Sequence, residues 1–478
     1  MALELLRELE NWKLEAKLED SGRYFFEVAE VESVRRGNKS YVVGRKGTGK
    51  TAIGEKFLTQ KNRSDSFSTR LSFKNFPFNE LYRNKDMIFT KPNQYITIWK
   101  YIIYMSVSQL MRDNPRINYD ARAYLQKLLP PADITSISRL IPRWVGKDFE
   151  LKIFGTGGRI GVDKNPTIDP SDWGTKVGIL ERFIATEIDR ASYFILFDEL
   201  DEDYKNVIDK DQSHEYVDLI ASLFKAVQDI RAIFKDGERK VYPVIFIRDD
   251  IYDLVRDSAK NTWEDLKVEL NWDEAKLRKL LAFRISRAVD KHGEILPFDD
   301  AWHRICERGL VLPEDRAPEK MVSVFDYIAG STLLRPRDFV RYLQVAAAAE
   351  IENRSDIISP MTVQAVDKAF SNYLRNEFVD EIHPSLPEIN LIFDILSQRR
   401  KDILTITEFK RIYRRRVNRG HLKNSDSDFV LQTLFHFSVI GNVNGNEKEF
   451  RYINKWATLN LDDRIAIHRG LLKTLQII

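Results

Sequence analysis

One cysteine, Cys306, stands in the whole chain, which excludes an internal disulfide and suits a cytosolic protein. The lone thiol reads as a small buried apolar side chain rather than a reactive group. Seven histidines are scattered without the spacing that metal ligands require. Long hydrophobic runs are missing too. The most membrane-like stretch, Tyr95 to Met111, contains Lys100, Ser106, Ser108 and Gln109, so it is too short and too polar to span a bilayer and is expected to be a core helix. The amino terminus, Met1-Ala-Leu-Glu-Leu-Leu-Arg-Glu, is charged and helical in pattern, without a secretory apolar core. A cytoplasmic protein with no membrane partner is therefore expected. Net charge is nearly absent: 75 basic residues face 72 acidic ones, giving +3. A basic field over the whole molecule is excluded, and any nucleic-acid contact must use a local patch. No nuclease, protease or deaminase constellation is present.

What is present starts at Tyr41. Tyr41, Val42 and Val43 read as the end of a buried strand, and Gly44-Arg45-Lys46-Gly47-Thr48-Gly49-Lys50-Thr51 fits G-x-x-x-x-G-K-[ST], the phosphate-binding loop. Backbone N–H groups wrap a polyphosphate only where Cβ atoms are absent, which explains Gly44, Gly47 and Gly49. The helix expected from Ala52 to Leu58 points its dipole at the same phosphates. ATP is the expected ligand, cradled by residues Gly44 to Ala52. Lys50 would reach the β and γ phosphates, and the Thr51 hydroxyl would ligate Mg²⁺.

A second strand, Tyr193-Phe-Ile-Leu-Phe197, is continuously apolar, as in a parallel sheet covered on both faces, and ends in Asp198-Glu199. Ligands sit outside the carboxyl edge of such sheets. Asp198 would hold Mg²⁺, directly or through water, and Glu199 would polarise the attacking water. Asp201, Glu202 and Asp203 read as solvated or helix-capping. A third apolar strand, Val241 to Ile247, ends in Arg248-Asp249-Asp250. Arg248 either senses the γ-phosphate or forms a salt bridge with Asp249 or Asp250. Arg337, near the start of a helix opened by Pro336, either closes over the γ-phosphate or is one of several scattered basic residues.

Length favours about three domains at roughly 150 residues each. The expected boundaries are 1–270 for the nucleotide core, 271–380 for a helical lid and 381–478 for a third unit. Between Lys50 and Asp198 lies more than twice the chain a minimal core needs, so residues 75–190 are expected to be an insertion. It is helical over about Lys91 to Pro131 and forms a hairpin over Phe149 to Val162. An amphipathic helix is expected over Leu3 to Asp20. The carboxyl-terminal part reads as helix (Glu388 to Arg399), short strand (Ile403 to Ile406), helix capped by Thr407 and running through Val417, helix (Ser425 to Phe437), then a hairpin pairing Val439–Val443 with Phe450–Ile453 around Asn444-Gly445-Asn446. That is the pattern of a winged helix-turn-helix. Between Leu404 and Asn424, Lys410, Arg411, Arg414, Arg415, Arg416, Arg419 and Lys423 face one acid, Glu408. Phe409, Ile412, Tyr413 and Val417 form the apolar side, leaving a phosphate-contacting face led by Lys410, Arg411, Arg414 and Arg415. Such modules also dock proteins, so DNA, RNA and a protein partner all stay open.

Gly44 to Thr51, Phe73-Lys-Asn-Phe-Pro-Phe78, Asp198-Glu199, Arg248-Asp-Asp250 and Arg335-Pro-Arg-Asp338 together resemble bacterial P-loop ATPases of the origin-recognition-like AAA+/STAND group. The resemblance implies an α/β P-loop sheet with a large helical insertion, then an α-helical lid and a C-terminal winged helix. It also implies a homo-oligomer, a separate effector protein, or both, and many such proteins are encoded near antiphage defence genes. Lys50, Thr51, Asp198 and Glu199 would take the phosphate, Mg²⁺ and water-activating roles, and Arg248 and Arg337 would match the two sensors. Arg231, Arg248 and Arg256 are all candidates for an arginine finger. The insertion and the extra acids after Glu199 depart from a minimal core of this kind. The leading expectation is an ATP-hydrolysing switch; the alternatives are a DNA-binding regulator with a structural nucleotide and an assembly scaffold of a defence complex.

Overall fold

A computed structural model describes residues 2–59, 65–73, 81–82, 90, 93–129, 173–202, 210–235, 237–313, 321–445 and 447–477. The expected hairpin at Phe149 to Val162 and the segment Lys74 to Asn79 lie outside the described residues. The chain forms two compact units. One comprises Glu27–Arg45 and Lys50–Leu270; the other comprises Met1–Phe26, Lys46–Gly49 and Asn271–Ile478.

The first unit is built on five parallel strands: β1 (Tyr41–Val43), β2 (Ser66–Ser72), β3 (Ser192–Asp198), β4 (Lys240–Ile247) and β5 (Lys267–Glu269), in the order β2-β3-β4-β1-β5. β1 is buried throughout, and it pairs Val42 with Phe246 on one side and with Val268 on the other. Strands covered on both faces need apolar side chains at every position, which is why β1, β3 and β4 show no alternation. Pro243 stands inside β4, opposite Ile195. The Ile245 N–H donates to Ser40 O on the β1 side. Alternate residues of a strand address the same neighbour, so Pro243 faces that side below the start of β1, where it breaks no ladder bond.

Helices Ile96–Asp113, Trp173–Glu187 and Lys210–Ile233 supply much of the covering layer. Phe197, Phe73 and Trp99 pack on one another, while Tyr41 packs on Phe224 and Trp263. Each buried Phe contributes about 1.5–3 kcal/mol. Tyr95 to Met111, expected as a core helix, is that: its apolar face is buried, Ser106 Oγ donates to Ile102 O at 2.8 Å, and Lys100 pairs with Glu181 at 3.7 Å. Among the described residues no helix is long and apolar enough to cross a membrane.

In the second unit, helix Ala2–Glu10 packs along helix Pro336–Glu352, and Trp12 is sealed under the Arg284 guanidinium, 4.5 Å from its ring. The first helix ends ten residues earlier than expected. Asp20, placed at the end of that helix by pattern, instead caps the next one (Ser21–Tyr24) by accepting from Gly22 N and Arg23 N. Helices Glu274–Val289, Val324–Ser331, Pro336–Glu352 and Pro360–Ile382 follow, with a two-stranded ribbon of β6 (Leu310–Val311) and β7 (Val322–Ser323).

From Ile389 the chain forms helix Ile389–Ser397, β8 (Ile403–Thr405), helices Ile406–Asn418 and Ser427–His436, then β9 (Ile440–Asn444), β10 (Glu447–Glu449) and β11 (Arg464–Ile467). The antiparallel order is β10-β9-β11-β8. Two expectations are corrected. Thr405, not Thr407, caps the middle helix, its Oγ1 accepting from Glu408 N at 3.1 Å. The hairpin returns through Glu447–Glu449 rather than Phe450–Ile453, because Phe450 turns inward onto His468. β11 joins β9 to β8, and sequence reading missed it.

Candidate nucleotide site

The loop after β1 is anchored by its first residue: Gly44 N donates to Ile247 O of β4 at 3.2 Å. Gly47 and Gly49 then take φ of 81° and 100°, a backbone region nearly closed to residues with a Cβ. The loop runs into helix Lys50–Thr59, whose N-terminal N–H groups face back along it. Lys50 Nζ donates to the carbonyls of Gly44 (2.7 Å) and Arg45 (2.9 Å), which holds the ammonium across the loop. Burial pushes its pKa down, Asp201, Asp249 and Asp198 pull it back, and nearby Arg248 adds to the lowering.

Parallel pairing brings the acid to this loop. β3 ends with Asp198, buried at 3% exposure, and Thr51 Oγ1 donates to Asp198 Oδ1 at 3.4 Å although 147 positions separate them. The same carboxylate oxygen accepts from Glu199 N at 3.0 Å. A hydroxyl and a carboxylate converging in this way fit Mg²⁺. That ion takes one or two protein oxygens and fills its octahedron with water and phosphate.

Glu199 carries φ of 61°, strained for a residue with a Cβ. Its carboxylate accepts from Ser72 Oγ at the tip of β2, which pairs with Asp198 in register. Ser72 was not singled out by sequence reading. It has no motif around it, and only the pairing of β2 with β3 brings it beside Glu199.

β4 lies between β1 and β3, so Arg248 at its tip sits between the loop and the acid. Of its two expected roles the structure shows the ion pair. Arg248 is 5% exposed, clamps Asp250 with bonds of 2.9 and 2.6 Å, and lies 3.4 Å from Asp201. Burial pushes the neighbouring Asp249 carboxyl up, with Arg45 opposing. Of the arginine-finger candidates, Arg231 is engaged by Gly37 O and the Tyr242 ring, Arg248 is buried, and Arg256 is exposed.

Within the second unit, the loop tip Lys46–Gly49 has its own neighbours. A Cβ on Gly47 would lie 3.2 Å from Arg337 Cβ. Trp272 Nε1 donates to Thr48 O at 2.9 Å, and Arg335 Nη1 reaches Lys46 O at 3.3 Å. Arg335 is 1% exposed and fully paired, with Asp338 (3.0 Å, twice) and Glu381 (2.7 Å). Arg337 is more open, 3.6 Å from Glu377. Trp272 and Glu377 were missed as site neighbours, since nothing in their spacing points at the loop, and Arg335 entered only within the motif Arg335-Pro-Arg-Asp338, without a role of its own. On helix Ile406–Asn418, Arg411, Arg414 and Arg415 are exposed, whereas Lys410 pairs with Asp428 at 2.6 Å.

A strand–loop–helix phosphate cradle beside an acid-tipped strand of a parallel sheet is a P-loop α/β fold, here followed by a helical C-terminal region. A family model described as the FunZ-associated C-terminal helical domain matches residues 275–379, too small a share to place the whole chain. No curated protein matches. Among solved structures the chain is similar to Cdc6p from Pyrobaculum aerophilum, at 12% identity over 93% of this chain and 88% of that one, TM-score 0.30. It is also similar to the ORC2 protein of Aeropyrum pernix in ADPNP–ADP complexes, at 12% identity over 94% and 90%, TM-score 0.38. A third is Drosophila ORC bound to DNA, at 13% identity over 100% and 92%, TM-score 0.30. Scores this low do not establish a common fold, and the fold assignment stands on the sheet's own topology.

Proposed function

We propose that this chain is an ATP-binding and ATP-hydrolysing switch. The observation that carries the reading is the meeting of Thr51 and Asp198 at 3.4 Å beside a loop whose Gly47 and Gly49 have the positive φ a phosphate cradle needs. Thr51 and Asp198 would hold Mg²⁺, which when bound neutralises charge on the phosphates. Gly44 to Ala52 bind the polyphosphate through backbone N–H groups, and Lys50 turns its ammonium from the Gly44 and Arg45 carbonyls to phosphate oxygen. Glu199, held by Ser72, orients and polarises the attacking water. Arg337 closes on the terminal phosphate. Arg248, already clamped by Asp250, aligns the acids between loop and strand. Lys50→Ala is expected to abolish MgATP binding, and Glu199→Gln to retain bound ATP without turnover. If both variants hydrolyse ATP like the parent, the reading is wrong.

We further propose that residues 271–380 act as a lid and that the segment from Ile389 is a winged helix coupled to it, engaging nucleic acid or a partner protein. Supporting the coupling, the Arg469 guanidinium lies 3.9 Å from the Tyr327 ring centre and donates to Tyr327 O at 2.9 Å, so the segment's last turn is tied to the lid helices. Supporting nucleic acid, Arg411, Arg414 and Arg415 form an exposed basic row. The antiviral setting and the separate effector rest on the resemblance alone; co-purification from an infected host is the test of both.

A further inference from the structure

Two cations beside the phosphate loop converge on one carboxylate oxygen. Lys46 Nζ lies 3.2 Å from Glu377 Oε2, and Arg337 Nη1 lies 3.6 Å from the same atom. Asp380 Oδ2 adds a weaker partner for Lys46 at 3.9 Å. The Glu377 side chain is 14% exposed, while Lys46 and Arg337 are 24% and 27% exposed. Both cations flank Gly47, whose Cβ position is 3.2 Å from Arg337 Cβ. Arg335, one step away, behaves differently: it is sealed in with two carboxylates of its own and braces the Lys46 carbonyl. The frame is therefore fixed by Arg335, and the two more open cations share Glu377, with Asp380 a weaker second partner for Lys46.

A carboxylate oxygen shared by two cations is the arrangement a phosphate oxygen makes with the same groups. A triphosphate held by Gly44 to Thr51 carries more charge and offers more oxygens than Glu377. Lys46 and Arg337, each about a quarter exposed, still have room to turn. We infer that Glu377 is an internal anion that competes with nucleotide phosphate for Lys46 and Arg337, lowering nucleotide affinity and returning both cations to rest when phosphate leaves. The inference depends on Gly44 to Thr51 being a nucleotide loop. If Glu377 merely aims Arg337, its loss weakens binding; if it competes, its loss strengthens binding.

The experiment is a titration of the full chain with MgATP for the parent, Glu377→Gln, the double variant Lys46→Ala/Arg337→Ala, and that double variant carrying Glu377→Gln. Thermal midpoints without nucleotide check that each variant folds. Glu377→Gln is expected to bind MgATP roughly two- to fivefold more tightly, the size of one partly exposed ion pair. The gain disappears when both cations are already gone. Glu377→Gln binding equally or more weakly overturns the role of Glu377 while leaving the nucleotide reading intact. A parent chain that binds no MgATP overturns both together.

Discussion

Gly49 has space around its Cβ position yet carries φ of 100°, so its constraint is backbone conformation and not crowding. Gly49→Ala is expected to lose about 1–3 kcal/mol locally and to weaken MgATP binding, readable as a lower thermal midpoint and a raised dissociation constant. Unchanged values in both would show that the loop does not hold this conformation. Arg335 poses the opposite case, a charge fully withdrawn from water and kept by Asp338 and Glu381. Arg335→Ala leaves two buried carboxylates without their cation and should destabilise by about 3–5 kcal/mol, measured by denaturant unfolding. At this scale the sequence was legible wherever a motif concentrates the chemistry, as in Gly44 to Thr51. It was silent on Ser72, Trp272 and Glu377. A lone serine at a strand tip or a glutamate late in a helix looks the same whether or not a partner faces it.

At the scale of elements, Thr405-Ile-Thr-Glu408 is a capping-box spacing that points to Thr405, and the expected cap at Thr407 overlooked it. Thr405→Ala should cost about 1 kcal/mol, with Thr407→Ala near neutral, in the same unfolding assay. Further along the helix, the Tyr413 hydroxyl donates to Asn424 O at 2.7 Å, and burial, aided by Glu388 and Asp426, pushes its pKa up to about 12. The folded state thus holds this proton more tightly than the unfolded chain, whose tyrosines titrate near ~10. Stability from this group is intact below about pH 10 and falls as pH rises towards 12. Tyr413→Phe should flatten that alkaline loss, seen by comparing midpoints at about pH 9 and about pH 11. Gly470 shows how closely elements approach: a Cβ there would collide with Ser331 O. β11 (Arg-Ile-Ala-Ile) escaped notice because four residues give too little alternation to rise above a loop. Pairing with β9 and β8 is what makes them a strand.

For the whole molecule, the two large hydrophobic cores among the described residues serve one unit each, one around Trp99, Phe197 and Trp263, the other around Phe339, Phe370 and Phe393, with a small cluster at Val443, Phe450 and Ala466 beside the latter. Two cores predict departure from two-state unfolding, with a van't Hoff enthalpy below the calorimetric one. Phe197→Ala and Phe370→Ala should each cost about 3–5 kcal/mol and shift different parts of the transition. A single transition moved equally by both would refute this. The near-neutral net charge has its own consequence, since any nucleic-acid affinity must come from a local row. Neutralising Arg414 and Arg415 should lower the salt slope of binding by about 2, roughly one for each phosphate no longer neutralised.

The chain's order of apolar runs and turns determined, before any coordinates, a parallel sheet with a phosphate loop after its first strand and an acid at the tip of a later one. Those features are local, written in contiguous residues whose backbone chemistry leaves few options. Which side chains meet was decided only by tertiary structure. β4 came to lie between β1 and β3, Arg248 was taken up by Asp250, Ser72 reached Glu199, and Lys46 and Arg337 came to share Glu377. Apart from Arg248 with Asp250, two positions apart and open to sequence reading, these meetings join residues whose sequence neighbours say nothing of one another. Strand order and helix packing, driven by burial of the two cores, bring them within a few ångströms.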